Sequence, residues 1–334
     1  MPAITPIAFA QAIVRALRRG GVDPAPILKQ AQIAPGKLAQ ASARINAAQM
    51  ETLSALAMER LDDEALGWFS RRLPWGSYGM LIRASLTAPQ LGLAMRRWCR
   101  HHGLLTDDLG LEIEVDRNVA TLAVHERVDL GVQREFCLVT LLRNAHGVAC
   151  WLVDSRIPLL AVDLPFAAPA HAELYRHMFP GPARFGAARA ALTFDARYLA
   201  LPLRRDEAAL QQLLKRALPL VVLPYRRDRL LAQRAHGLLR TQASELRDAT
   251  ALAAALNLSP RTLHRQLRDE GTSLQALKDE ARRELAVAQL LRTGRPVKQV
   301  ALAAGFTNAK SFARAFRGWT GLTPQALRRQ AREP

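Results

Sequence analysis

Long apolar runs are missing from this 334-residue chain: no stretch approaches the roughly 18 uninterrupted apolar residues of a membrane-crossing helix, so no spanning segment is expected. Cysteine is scarce. Cys99, Cys137 and Cys150 are odd in number and form no C-x-x-C, which excludes a disulfide frame and suits free thiols in a reducing compartment. The first 20 residues are amphipathic and lack the basic-start, apolar-core, small-residue order of a signal peptide, so the expected location is cytoplasmic. No G-x-G-x-x-G, P-loop or G-x-S-x-G elbow is present, which removes the dinucleotide, nucleoside-triphosphate and serine-hydrolase readings. His101 and His102 stand beside Cys99, but adjacent helical side chains diverge by about 100°. With no second histidine pair nearby, no metal and no cofactor are expected.

What the chain does have is positive charge, at +18 overall, and it is unevenly placed. From Arg229 onward there are 19 basic and 8 acidic residues, against 28 and 21 in the first 228. A surplus gathered at one end is expected of a region that meets a polyanion, although a solvated basic surface would look the same by charge alone.

The texture also changes along the chain. Helix-period runs at Phe9–Arg19, Asn46–Arg60, Pro89–His102 and Gly131–Val153 alternate with strand-like segments at Leu111–Val115, Thr121–Glu126 and Ala191–Phe194. The first two strands suggest a hairpin about Asp116-Arg117-Asn118. Prolines punctuate 158–182, Asp206–Leu218 reads as a closing helix, and Pro219 and Pro224 frame Leu220–Leu223 before Arg226–Arg229. Beyond that point only helices are expected, beginning with Arg229–Arg240. The fold class is therefore an α+β front domain at 1–225 followed by an all-α domain at 226–334.

Residues 248–268 have the pattern of a helix-turn-helix. Asp248 can cap a helix with Leu252, Ala255 and Leu256 on its apolar stripe, and Asn257 tolerates the left-handed geometry of a helix end. Ser259 then caps a second helix with Pro260 at its first position. Leu263 and Leu267 face inward, leaving Arg261, His264, Arg265 and Arg268 outside; Arg is the side chain that pairs bidentately with guanine. Residues 296–317 repeat the scheme. Pro296 opens a helix through Val300, Ala301 and Ala304, Gly305 ends it, Phe306 packs into the turn and Asn308 caps the next helix. Phe312 and Phe316 are its inward pair, with Lys310, Ser311, Arg314 and Arg317 outside. Leu263, Arg265 and Leu267 precede Phe312, Arg314 and Phe316 by 49 residues in the same order. Between the units, 274–292 carries apolar residues at 274, 277, 281, 285, 288 and 291. Nineteen residues make a strut of roughly 28 Å, near the ~34 Å between successive major grooves on one side of DNA.

These residues resemble a known family. Leu258–Leu267 with Glu270-Gly271-Thr272-Ser273, and Ala303-Ala304-Gly305-Phe306 with Phe312–Phe316 and Thr320–Pro324, are similar to the two helix-turn-helix units of AraC/XylS transcription regulators over roughly 229–332. The resemblance implies a helical DNA-binding domain with Arg261, His264 and Arg265 as base readers in the first unit. Ala309, Lys310, Ser311, Ala313 and Arg314 occupy the matching face of the second, and Thr262, Arg268 and Arg317 complete the DNA-facing set. Ala309 and Ala313 offer only apolar contact, so the second helix is expected to discriminate less. Leu104–Asp108, Pro165–Pro169 and Phe194–Leu203 make the front domain, roughly 20–215, resemble the arabinose-binding-type sensor of the same family. The implied partners are promoter DNA, a small-molecule effector, RNA polymerase and a second copy of the chain.

For the effector, Trp75, Tyr78, Trp98, His102, Arg134 and Trp151 form a candidate aromatic-polar set. The bland alternative makes these tryptophans core and Arg134 surface. Two further readings stay open at this stage: an enzyme carrying a basic helical tail, and a constitutive DNA binder whose front domain only dimerises.

Overall fold

The computed structural model describes residues 4–215, 228–242, 246 and 248–331. The expected Pro219–Pro224 frame and Arg226-Arg227 lie outside the described residues. The chain divides into two units, Met1–Arg227 and Asp228–Pro334.

The front unit begins with a small sheet and a helical layer. Strands β1 (Ile4–Pro6) and β2 (Arg44–Asn46) pair antiparallel, and between them run α1 (Ile7–Arg19), α2 (Pro24–Gln30) and α3 (Pro35–Leu38). Helix α4 (Ala47–Leu61) opens on a full capping box: Asn46 accepts from the Gln49 N–H while the Gln49 side chain accepts from the Asn46 N–H. Then come α5 (Ser77–Ser85) and α6 (Leu91–His102).

The main sheet contains β3 (Leu109–Asp116), β4 (Val119–Glu126), β5 (Leu159–Leu164), β6 (Ala183–Phe185) and β7 (Ala190–Asp195), in the order β3-β4-β7-β5-β6. The expected hairpin is there, with Asp116 opposite Val119 and Arg117 in the left-handed region at φ 51°. Alternation sets its inner face: Ala120, Leu122 and Val124 are buried beside Leu192 and Phe194. The long helix α7 (Arg134–Val153) is buried almost all round. With its preceding turn, Gly131–Val153 is long and apolar enough to cross a membrane by length and composition, but 89% of its apolar window is buried inside the protein. It is the core helix of the front unit. Helices α8 (Tyr175–Met178) and α9 (Glu207–Leu214) follow. Asp206 caps α9, and the expected continuation of this helix over 216–218 lies outside the described residues.

Among the front-unit elements that were not expected are β5 and α5. β5 hides among prolines, where its run Leu159-Leu160-Ala161-Val162 reads as loop until β7 pairs with it. α5 contains Gly79, a poor helix former, and is held by packing: a Cβ at Gly79 would lie 2.9 Å from Leu214 Cδ2. Arg83 of α5 also forms a bidentate pair with Glu207 of α9.

All elements described in the back unit are helices: α10 (Leu231–Thr241), α11 (Ala249–Ala255), α12 (Pro260–Asp269), α13 (Leu274–Arg292), α14 (Val297–Ala303), α15 (Ala309–Thr320) and α16 (Pro324–Gln330). They build two cores. The first gathers Leu231, Leu252, Leu256, Leu263 and Leu267 against Leu274, Leu277 and Ala281 of α13. The second gathers Val300, Ala304, Phe312 and Phe316 against Ala286 and Leu290 of the same helix. The expected single stripe on α13 is thus corrected. Its buried positions shift from 274, 277 and 281 to 286 and 290, and Leu285 and Leu291 are exposed. The step from Ala281 to Ala286 is about 140° round the axis, because one helix serves two cores on different sides.

Candidate nucleic-acid interface and a buried aromatic cluster

Local chemistry fixes each reading helix. Asp248 accepts from the Ala251 N–H to start α11, and Asn257 at φ 55° ends it. The Asn257 and Leu258 amides donate to the Ala254 and Ala253 carbonyls, a left-handed helix stop with an apolar residue just beyond it. Ser259 accepts from the Thr262 N–H, and Pro260 opens α12. In the second unit Gly305 at φ 79° ends α14, and the Gly305 and Phe306 amides donate to the Leu302 and Ala301 carbonyls. Asn308 accepts from the Ser311 N–H at 2.7 Å and starts α15. The stops correspond, but the second turn carries one more residue before its cap. Phe306 fills it, 5.5 Å from the Phe312 ring and 5.8 Å from Trp319, with the Arg282 guanidinium over its other side.

Leu263, Leu267, Phe312 and Phe316 are fully buried. Their burial turns the opposite faces outward. Arg261, His264, Arg265 and Arg268, and likewise Lys310, Arg314 and Arg317, are exposed. Positions i, i+4 and i+7 share one helix face, and the two faces match at the 49-residue offset: Arg261 with Lys310, Arg265 with Arg314, Arg268 with Arg317. The mismatch is His264 against Ala313. Thr262 and Ser311 are half-buried and serve the caps through their N–H groups, the Thr262 hydroxyl also meeting that of Ser259 at 2.8 Å. Ala309 is half-buried at the start of α15.

Charge pairing separates these residues from four other cations of the back unit. Arg234 is tied to Asp228, Arg240 to Glu284, Arg282 to Asp279 and Arg283 to Glu280. Among the described residues, Arg261, His264, Arg265, Arg268, Lys310, Arg314 and Arg317 enter no ion pair. A helix face with several uncompensated cations beside an apolar anchor is what a phosphate-lined groove recruits.

In the front unit the structure brings three of the six effector candidates together. Trp98 and His102 lie one turn apart on α6, both fully buried, and Tyr78 comes in from the first turn of α5. The Tyr78 hydroxyl is 3.3 Å from His102 Nε2, and the three rings lie 5.7–6.3 Å apart. Phe69 meets His102 edge-on at 6.1 Å. Burial lowers the His102 pKa to about 4, so its ring is neutral, and pushes the Tyr78 hydroxyl well above its usual range.

The other three candidates are elsewhere or turned away. Trp75 is 48% exposed. Arg134 forms a bidentate pair with Glu126 and donates to the Pro165 carbonyl. Trp151 lies 17 residues further along the same helix, about 26 Å away, under the Arg205 guanidinium. The six therefore do not line one pocket: α7 is too long for its two ends to share a small ligand.

Sequence reasoning missed what steadies the cluster. Asp62, Asp63 and Glu64 spend their carboxylates on the backbone that carries Trp68 to Tyr78. Asp63 accepts from the Ala65, Gly67 and Leu73 amides, Glu64 from Gly76 and Tyr78, and Asp62 from Trp75. Three adjacent acidic residues were the available signal. Elsewhere Glu112, Glu114 and His125 gather their ligand atoms within 4.8 Å, but Arg189 pairs with Glu114 and lies 3.8 Å from Glu112, which makes the group an ion network.

Comparison with known proteins agrees with this division of labour. Residues 21–203 match the family model described as the arabinose-binding domain of AraC transcription regulator, N-terminal, and residues 252–330 match a helix-turn-helix domain. The Ornithine utilization regulator of Pseudomonas aeruginosa is 28% identical over 97% of this chain and 96% of its own length. VirS of Mycobacterium tuberculosis is 25% identical over 93% and 92%. The crystal structure of CdpR from Pseudomonas aeruginosa aligns with 96% of this chain and 98% of its own, at 20% identity and a TM-score of 0.37. With a sensor-domain match over more than half its length and a helix-turn-helix match behind it, the chain belongs to the AraC family of DNA-binding transcription regulators.

Proposed function

We propose that the chain is an effector-responsive regulator, not an enzyme, whose α12 and α15 enter successive major grooves on one face of a promoter. The observation that carries this reading is the pair of capped helices with matching, unpaired cationic faces mounted on one continuous helix. Nineteen residues of α13 span roughly 28 Å, close to the ~34 Å repeat of the groove. In this reading Arg261, His264 and Arg265 read bases in one groove and Lys310 and Arg314 in the next. Arg268 and Arg317, at the later turns, hold phosphate, and Ala309 makes only apolar contact. Thr262 and Ser311 contribute by fixing their helix starts. A small molecule bound by the front unit sets how the readers engage. RNA polymerase and a second copy of the chain are the protein partners, and the cytoplasm is the place of action.

Sites selected by the full chain from random duplexes, followed by hydroxyl-radical footprinting, test this directly. Two protected segments about one helical turn apart are expected. One protected segment, or binding that is flat between low and physiological salt, would overturn the two-groove reading.

A further inference from the structure

Trp98 Nε1 and His102 Nδ1 are buried and have no hydrogen-bond partner among the described residues. Buried polar groups are nearly always bonded, and an indole nitrogen can only donate. Trp68 Nε1 is in the same condition, and a chain of ring contacts runs from Trp68 through Phe69 to His102. On the far side Tyr78 holds His102 Nε2, leaving Nδ1 as the imidazole's remaining polar atom. Polar atoms unanswered within an aromatic wall suit the lining of a ligand site, and the Trp98 indole N–H, which can only donate, specifies an acceptor on the ligand.

The surrounding charges narrow the class. Acting on Tyr78 are the carboxylates of Glu64 and Asp63 and the Cys137 thiol, with no basic side chain among them. A carboxylate ligand beside Tyr78 would meet the like charges of Glu64 and Asp63. An ammonium ligand would bring a donor to the indole N–H, and the nearby carboxylates are already engaged by backbone amides.

We infer that the Tyr78–Trp98–His102 cluster is the effector site, and that it takes an uncharged, largely apolar or aromatic molecule presenting a carbonyl or hydroxyl oxygen. This rests on the reading of the front unit as a sensor. Trp98 and His102 are closed to solvent, so entry requires the turn carrying Tyr78 to part from α6. That turn begins at Gly76, and opening it releases the Gly76 and Tyr78 amides from the Glu64 carboxylate.

The test uses the full chain with four probes of matched size: benzamide, benzoate, benzylamine and L-ornithine. Benzamide at millimolar concentration is expected to raise the unfolding midpoint and to move the Trp98 indole N–H resonance, assigned by its loss in Trp98→Phe. Trp98→Phe should bind benzamide about tenfold more weakly, the loss of one hydrogen bond. His102→Gln is the second variant should Trp98→Phe fold poorly, with the same weakening expected. Unchanged benzamide affinity in both variants would place the site elsewhere and leave the sensor reading intact. Binding of a charged probe but not of benzamide would overturn the ligand class and again leave that reading intact. If benzamide neither binds nor moves the indole resonance, the site assignment fails, and the sensor reading is then judged on a wider ligand panel.

Discussion

The two helix-turn-helix units use one backbone scheme and different materials. The first closes its core with Leu263 and Leu267, ends its leading helix on Asn257 and faces outward with three arginines and a histidine. The second closes with Phe312 and Phe316, ends on Gly305, and replaces His264 by Ala313 and Arg261 by Lys310. Packing demands are met in both, whereas the polar reach of the outer face is reduced in the second. On the proposed two-groove reading, the difference separates two jobs. The first unit carries forked guanidinium groups and an imidazole, and the second carries a point charge, a small apolar residue and two arginines.

The largest way to break this comparison is through the cores. Phe316→Ala should cost about 3–5 kcal/mol and Leu267→Ala about 2–5 kcal/mol in chemical denaturation. Because α13 belongs to both cores, each substitution is expected to lower one shared back-unit transition; two separated transitions would show that the units fold independently. Next come the readers. Arg265→Ala should relax one position of the selected site by about 1–3 kcal/mol, and Arg314→Ala another position one helical turn away. Equal losses on selected and random DNA would reduce either arginine to a phosphate contact. Cap removal is smaller: Ser259→Ala and Asn308→Ala should each cost about 1 kcal/mol of stability. A loss confined to one of them would mean the matched caps are not equivalent. Smallest is the helix stop, where Asn257→Gly should stabilise by about 0.5 kcal/mol and Gly305→Ala destabilise by about 1 kcal/mol. Opposite signs in thermal unfolding are the check.

The back unit was largely legible because its signals are local. Asp248, Ser259 and Asn308 announce helix starts, Asn257 and Gly305 announce stops, and the apolar spacing names the inward residues except Ala255, which is exposed while Ala253 is buried. The α13 stripe misled because spacing alone cannot tell that a helix changes partners midway, and Leu285 continues the first stripe into solvent. The front unit yielded less. β5 and α5 exist through long-range pairing and packing, with β7 and Leu214 respectively, which no window of sequence contains. Trp98 and His102 share a face by their four-residue spacing, but Tyr78 joins them only because Glu64 fixes its turn from 14 residues away. Arg134 and Trp151 looked like partners by chemistry and were separated by the length of α7.

The change of side along α13 has a consequence for promoter architecture. A continuous helix converts residue number into both distance and angle, about 1.5 Å and 100° for each residue. One residue inserted between Ala281 and Ala286 would barely lengthen the rod but would swing the second reader through more than a quarter of a turn, out of phase with the groove. Four inserted residues would nearly restore the phase while moving the reader about 6 Å along the duplex. On the two-groove reading, the separation and relative orientation of the half-sites are thus encoded in the step from Ala281 to Ala286.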